Sequence, residues 1–177
     1  MGAILPPRSR TWGLTAIMAP LFTVFGTAQW LYWMNTGDLI SGPDTIAFVE
    51  MMRAYLFVDL LFAALVDIRQ IPLLTGWIHH IAYYYVATRL LETHDDGFIR
   101  PFMIAELPTA ILAWGYVAPS LRNERFFGST FLLTRILLPV VSLPMMRFTD
   151  FVWNVICIAL TVHIYWFGRW IARQQRQ

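Results

Sequence analysis

The chain has 177 residues, of which 58% are hydrophobic, 16% aromatic and only 14% charged. Soluble domains average about 45–50% apolar and about 25% charged residues, so this composition disfavours a soluble globular enzyme and excludes an intrinsically disordered chain. The single cysteine, Cys157, excludes an internal disulfide and a thiolate metal cage. A net charge of +2 gives no indication of nucleic-acid binding, so we expect no nucleic-acid partner.

Six apolar runs follow one another along the chain, separated by short polar breaks. A membrane-spanning helix needs about 20 mostly apolar residues, and each run is about that long. The sequence therefore predicts an all-α membrane protein with six transmembrane helices, forming a single domain over residues 13–171 between tails at 1–12 and 172–177. The six helices are predicted at 13–34, 47–66, 72–91, 101–120, 126–146 and 151–171.

The arginines near the helix ends predict the orientation. An even number of spans places both termini on one side, and the side richer in arginine is usually cytosolic. Both tails are therefore predicted to be cytosolic. The arginine-rich side carries Arg8, Arg10, Arg69, Arg122, Arg125, Arg169, Arg173 and Arg176, and the other side carries Arg89, Arg100 and Arg147.

Several ionisable residues interrupt the apolar runs. Charged groups at membrane depth are unfavourable in lipid, usually face an interior or a cavity, and tend to be paired or functional. At a rise of about 1.5 Å per residue, four of them fall about 9–14 Å from the predicted cytosolic ends of their helices. A second layer, about 20 Å deep, contains Arg53 and Glu106. The four in the first layer are Asp59, His80, Arg135 and His163.

These residues predict a polar site inside the helix bundle. A carboxylate at Asp59 can orient the imidazole of His79 or His80, which leaves the other ring nitrogen as base or nucleophile. Arg135 can hold an acyl carbonyl, a phosphate or a carboxylate through two hydrogen bonds. We expect Asp59, one of the two adjacent histidines, Arg135 and His163 to line one internal cavity, with a bound lipid or acyl chain as partner.

Purely structural roles are the alternative for the same residues. Asp59 and Arg135 can form a buried ion pair that fixes the helix register, and Arg53 with Glu106 is predicted to be a structural ion pair. A metal site is the weaker hypothesis, because adjacent histidines point about 100° apart on an ideal helix and rarely converge on one ion. No metal and no tightly bound cofactor are therefore predicted.

Four short motifs occur in order along the chain. They are Tyr55-Leu56-Phe57-Val58-Asp59, then His79-His80, then Glu106-Leu107-Pro108-Thr109, and then Phe131-Leu132-Leu133-Thr134-Arg135. Their order and spacing resemble those of the TLC family of membrane proteins, which includes the ceramide synthases. The resemblance covers roughly residues 46–146 and implies six transmembrane helices forming a barrel around a lipid-accessible cavity, usually in the endoplasmic reticulum.

The resemblance also implies a chemistry. In ceramide synthases the paired histidines act in transfer of an acyl chain from coenzyme A, so acyl-coenzyme A is the co-substrate that the resemblance suggests here. The sequence departs from that branch, because Ile81 and Ala82 follow the histidines and no Asp-Ser-Asp element occurs. Glu106-Leu107-Pro108-Thr109 is more similar to the divergent TLC branch, whose members affect membrane lipid composition.

Three functions are compatible with these features. The first is a lipid-modifying enzyme of acyltransferase type, with Asp59, His79 and His80 catalytic and with Arg135 and His163 binding the substrate. The second is a non-enzymatic protein that binds or regulates lipids, in which the polar layer only shapes the cavity. The third, a transporter or channel-like relay, is disfavoured because the sequence shows no inverted repeat of broken helices.

Overall fold

A computed structural model describes residues 11–145 and 149–176. Within these two ranges the chain is helical and contains no strand, which confirms the all-α prediction. Most of the predicted N-terminal tail lies outside the described ranges, because residues 1–10 are not described. The arginines at positions 8, 10 and 147, which contributed to the predicted orientation, also lie outside them.

Six helical stretches account for the described chain, in agreement with the number of predicted helices, and several of them are made of consecutive α-helical, π-helical and 3-10 segments. The α-helical parts are α1 (Thr15–Thr36), α2 (Pro43–Asp67), α3 (His79–Glu92), α4 (Ile99–Phe102), α5 (Leu107–Val117), α6 (Glu124–Phe131), α7 (Leu138–Ser142) and α8 (Asp150–Gln174). Two π-helical segments, Leu73–Ile78 and Leu132–Leu137, lead into α3 and α7. Short 3-10 turns are Ile68–Gln70, Asp96–Phe98, Met103–Glu106, Pro119–Leu121 and Leu143–Met145.

The largest difference from the predicted boundaries is the start of α2, which begins four residues before the predicted position 47. Gly42, with φ of 140°, precedes the helix, Pro43 occupies its first turn, and Asp44 follows. Proline is favoured at the first helical position, since its missing N–H would have no helical partner there. An acidic side chain in the first turn complements the helix dipole. A segment read as a polar break is therefore the beginning of the helix.

The chain divides into two compact units, Met1–Arg122 and Asn123–Gln177. The first contains α1 to α5 and the second contains α6 to α8. The single domain predicted over residues 13–171 spans both units. The second unit begins with a capped helix, since the side chain of Asn123 accepts a hydrogen bond from the backbone N–H of Phe126.

Small residues bring the helices of the first unit close together. A side chain at Gly26 of α1 would overlap the backbone of Met103 and Ile104. Ala19 and Ala87 are completely buried, as expected where helix backbones approach closely. This packing places α1 against the segment Met103–Glu106 and against α5.

Large apolar side chains cover much of the outer surface, whereas several polar side chains are buried. Soluble monomers rarely expose contiguous apolar surface larger than a few hundred Å². Among the described residues, two helical stretches are long and apolar enough to cross a membrane, Glu124–Met145 and Asp150–Gln174, and the six transmembrane helices stay a prediction. Exposed apolar residues occur on every long helix and include Ile17, Val24, Phe57, Leu65, Leu73, Ile81, Leu133, Val141, Ile158 and Ile164.

Candidate functional site

Asp59 and His80 form a hydrogen-bonded pair in the first unit. Asp59 lies two turns before the end of α2 and His80 is the second residue of α3, so the contact joins two neighbouring helices. Nε2 of His80 lies 3.0 Å from Oδ2 of Asp59. Asp59 is only 6% exposed and the side chain of His80 is 16% exposed, so the bond is largely shielded from bulk solvent.

The second ring nitrogen of His80 is also engaged. Its Nδ1 lies 3.0 Å from the backbone carbonyl oxygen of Gly76, one turn earlier in the chain. A carbonyl oxygen only accepts, so Nδ1 must carry a proton. Nε2 and the carboxylate of Asp59 then share one further proton, either as imidazolium with carboxylate or as neutral imidazole with carboxylic acid. In both forms the pair has no net charge, which lowers the free-energy penalty of burying it.

This geometry bears directly on the chemistry expected of His80. A nucleophilic or basic imidazole needs one unprotonated nitrogen that faces the substrate. Here both nitrogens of His80 are occupied, one by Gly76 and one by Asp59. In this arrangement the proton shared by Asp59 and His80 stays between them. His80 can accept a proton from a substrate only after its contact with Asp59 has opened.

Thr15 of α1 completes the coordination of Asp59. Its hydroxyl donates a 2.9 Å hydrogen bond to Oδ1 of Asp59, and the hydroxyl of Tyr55 donates to Thr15 at 3.5 Å. Three helices thus contribute to one buried polar cluster. Thr15 is not among the predicted site residues, because a threonine in an apolar run carries no signal comparable to that of an ionisable residue.

A π-helical turn presents the carbonyl that His80 binds. Gly76 lies in the segment Leu73–Ile78, where the N–H of Trp77 bonds to the carbonyl of Pro72, five residues earlier. Such turns contain one extra residue relative to an α-helical turn and occur frequently at functional sites. The π-helical turn therefore lies at the polar cluster. The pattern of apolar and polar residues does not predict it.

Glu106 and His79 lie near the same cluster. The carboxylate of Glu106 interacts electrostatically with Tyr55 and with His80. The ring of His79 contacts the ring of His80 edge-on, with centroids 5.6 Å apart, and packs more closely against Tyr83 at 4.4 Å. Of the two adjacent histidines, His80 is the one that binds Asp59.

Arg53, which is predicted to pair with Glu106, contacts two other side chains in the described structure, and the pair with Glu106 stays a prediction. Arg53 donates from Nη1 to both carboxylate oxygens of Glu50, at 3.0 and 3.1 Å, and from Nη2 to the hydroxyl of Tyr84 at 3.0 Å. Glu50 lies three residues before Arg53 on α2, and residues at this spacing face each other on a helix. The spacing of Glu50 and Arg53 in the sequence already offers Arg53 a partner within its own helix.

The second unit contains the other two predicted site residues. His163 of α8 hydrogen-bonds to the backbone of Arg135, which lies in the π-helical segment Leu132–Leu137. Phe131 packs between them, edge-on to the ring of His163 at 5.7 Å and 5.2 Å from the guanidinium carbon of Arg135. Arg135 and His163 are thus brought together and are both buried. Since the two pairs belong to different units, the common cavity stays a prediction.

Within the described residues, no group of three or more histidine, cysteine, aspartate or glutamate side chains is arranged to hold a metal ion. The Asp59–His80 pair supplies two of the groups that a metal would need, and their facing atoms are bound to each other. The first unit thus contains a polar cluster, centred on the Asp59–His80 pair, within an apolar helical exterior. No protein-family model, curated protein or solved structure matches the chain.

Proposed function

We propose that the chain is a multi-pass membrane protein that binds a lipid or acyl chain beside the Asp59–His80 pair. The single observation that carries this proposal is the largely buried hydrogen bond of 3.0 Å between these residues, inside a helical unit with an apolar exterior. A ligand site typically combines apolar walls with a few convergent polar groups. The polar cluster supplies those groups, and the flanking helices supply apolar side chains.

The distribution of polar and apolar residues supports the membrane location. Leu65 is 77% exposed and Leu73 is 71% exposed, whereas Thr15, Asp59 and His163 are buried. Water would favour the opposite arrangement, while a bilayer favours apolar side chains outside and polar side chains inside. We propose six spans with both termini cytosolic, of which the two stretches of the second unit have the strongest composition for crossing a membrane.

Residues of the first two motifs that resemble the TLC family meet in the polar cluster, and a residue of the third motif interacts with it electrostatically. Tyr55 and Asp59 come from the first motif, His80 from the second, and Glu106 from the third. These motifs are separated along the chain, so their convergence supports the proposal that the chain belongs to this family. It also supports a location in the endoplasmic reticulum, where the family usually resides.

Acyl transfer is the second candidate function, and the Asp59–His80 hydrogen bond again favours it. In that reaction the hydroxyl or amine of the acceptor would attack the thioester carbonyl of acyl-coenzyme A, and the C–S bond would break as the new acyl bond forms. The pair would give its shared proton to the departing thiolate and take up the proton that the acceptor loses. Because neither nitrogen of His80 is unoccupied, a covalent acyl-imidazole at this residue is disfavoured.

Photo-crosslinking tests the lipid-binding proposal. Cells expressing the full chain are fed a diazirine-bearing fatty acid, irradiated, and the labelled peptides are mapped by mass spectrometry. We expect labelling within α2 and α3 near Asp59 and His80, with competition by excess unlabelled fatty acid. Labels confined to exposed positions such as Leu65, without competition, would indicate surrounding bilayer lipid only and would contradict the proposal.

Lipidomics separates the enzymatic candidate from the non-enzymatic one. Wild type, His80→Ala and His79→Ala are compared at equal protein level, together with an Arg89→Gln control whose partner is Glu92 on the same exposed helix turn. An altered lipid profile for His80→Ala that follows loss of acyl transfer in isolated membranes supports the enzyme. Unchanged lipid profiles for both histidine variants exclude catalysis by these histidines and leave the binding function.

A further inference from the structure

A second polar cluster lies at one end of the first unit, where two loops meet. The connection before α2 and the turn Asp96–Phe98 approach so closely that a Cβ at Gly97 would lie 3.2 Å from the carbonyl oxygen of Ile40. Ser41 donates a 3.0 Å hydrogen bond to Oδ2 of Asp96, which is 3% exposed. This contact fixes the two loops to each other beside Arg100.

Arg100 of α4 is held in place by α2. Its Nη1 donates a 3.0 Å hydrogen bond to Oγ1 of Thr45, and its guanidinium carbon lies 5.5 Å from the ring centroid of Phe48. The hydroxyl of Thr45 is completely buried and donates its own proton to the carbonyl of Ile40. Thr45 is therefore a neutral acceptor that positions the guanidinium without balancing its charge.

The remaining donors of Arg100 are not satisfied within the described chain. An arginine side chain has five N–H donors in a planar arrangement and stays protonated in proteins. The buried Nε of Arg100 has no acceptor, and no described carboxylate forms an ion pair with this guanidinium. Asp96, one turn earlier, receives the hydroxyl of Ser41 instead. Within the described residues, this guanidinium therefore has no ion-pair partner.

We propose that Arg100 and the two loops form a binding site for a phosphate ester, namely the phosphodiester of a membrane phospholipid headgroup. A guanidinium matches phosphate oxygens with two parallel hydrogen bonds. The site lies where α1 ends and α2 begins, so in a membrane-spanning unit it falls near the headgroup level. The choice of lipid as the source rests on the proposed membrane location, whereas the phosphate chemistry rests on Arg100 alone.

A lipid titration of the purified, delipidated full chain tests this site. Short-chain phosphatidylglycerol is added in detergent and binding is followed by native mass spectrometry for wild type, Arg100→Gln, Arg100→Lys and Arg89→Gln. Arg89 is the matched control, because it lies near the same end of the unit but already has Glu92 as partner. Loss of a charge-assisted hydrogen bond weakens binding by about tenfold or more.

We expect wild type and Arg89→Gln to bind equally, Arg100→Lys to bind more weakly because the planar pair of donors is lost, and Arg100→Gln to bind most weakly. Arg100→Lys keeps the positive charge, so it tests the contribution of the planar donors to lipid binding even where Arg100→Gln fails to fold. Equal binding by wild type and Arg100→Lys overturns the proposed bidentate site, as does a loss of equal size in Arg89→Gln.

A parallel arm uses inorganic phosphate at millimolar concentration and records the thermal unfolding temperature. In one outcome phosphate raises the unfolding temperature of wild type but not of Arg100→Lys, while no lipid binds to either. That result assigns the site to a soluble phosphate ester and overturns the proposed phospholipid headgroup. All these variants retain Asp59 and His80. Loss of phospholipid binding with intact fatty-acid labelling near Asp59 therefore separates this site from the proposed lipid site.

Discussion

The hydroxyl of Thr15 donates a 2.9 Å hydrogen bond to Oδ1 of Asp59, and this bond ties α1 to the polar pair between α2 and α3. Oδ2 of the same carboxylate faces His80. Both oxygens of a buried carboxylate are thus occupied by groups from two other helices. The carboxylate acts as the link among three helices, which makes its neighbours sensitive positions for stability.

Replacement of Thr15 by valine should lower the stability of the folded chain. The change keeps the shape of the side chain but removes the donor to Asp59, and a buried acceptor that loses its donor costs about 1–3 kcal/mol. Thr15→Ser keeps the hydroxyl and should lose less. Thermal unfolding in detergent, followed by circular dichroism, measures the difference. Equal unfolding temperatures for the serine and valine variants would show that the hydroxyl contributes nothing.

Replacement of Asp59 by alanine should destabilise the chain much more than replacement by asparagine. An asparagine amide can donate to Nε2 of a neutral His80 and still accept from Thr15, so both contacts of the native residue are retained. Alanine leaves a buried imidazole and a hydroxyl without partners and should cost about 3–5 kcal/mol, as for a broken buried pair. Denaturant unfolding of the two variants in parallel checks the order, and a larger loss for asparagine would contradict it.

Gly26 and Gly168 should respond in opposite directions to alanine. At Gly26 a methyl group overlaps the backbone of Met103 and Ile104, so Gly26→Ala should destabilise the first unit by about 1–3 kcal/mol. At Gly168, on α8, nothing lies within 4 Å of the added atom, and alanine should stabilise the helix by about 0.5–1 kcal/mol. Thermal unfolding of both variants is the measurement. A neutral result at Gly26 would refute the close contact between α1 and the segment Met103–Glu106.

Arg53 should be energetically coupled to Glu50 and not to Glu106. Because the pair with Glu50 is partly exposed, a double-mutant cycle of Arg53→Gln and Glu50→Gln should give about 0.3–0.5 kcal/mol. The cycle of Arg53→Gln with Glu106→Gln serves as the control and should be additive within error. A coupling confined to the second cycle would restore the ion pair that the sequence predicts.

The amino-acid sequence by itself determined the helical class and the number of helical stretches. Apolar runs of about 20 residues form helices because the backbone must satisfy its own hydrogen bonds where water is excluded. The sequence also selected Asp59 and the His79-His80 motif, since ionisable residues in apolar runs stand out by composition alone. These properties depend on short segments and do not require knowledge of how the helices pack.

The tertiary structure alone decided which partner each polar side chain has. It assigned His80 rather than His79 to Asp59, added Thr15, and placed Arg53 against Glu50 and Tyr84. Hydrogen bonds depend on distances within a few tenths of an ångström and on direction, whereas a helix position estimated from sequence is uncertain by several residues. The π-helical turn before α3 adds one residue and so rotates every side chain after it. Helix rotation and register, set by packing, therefore determine the site chemistry that composition cannot specify.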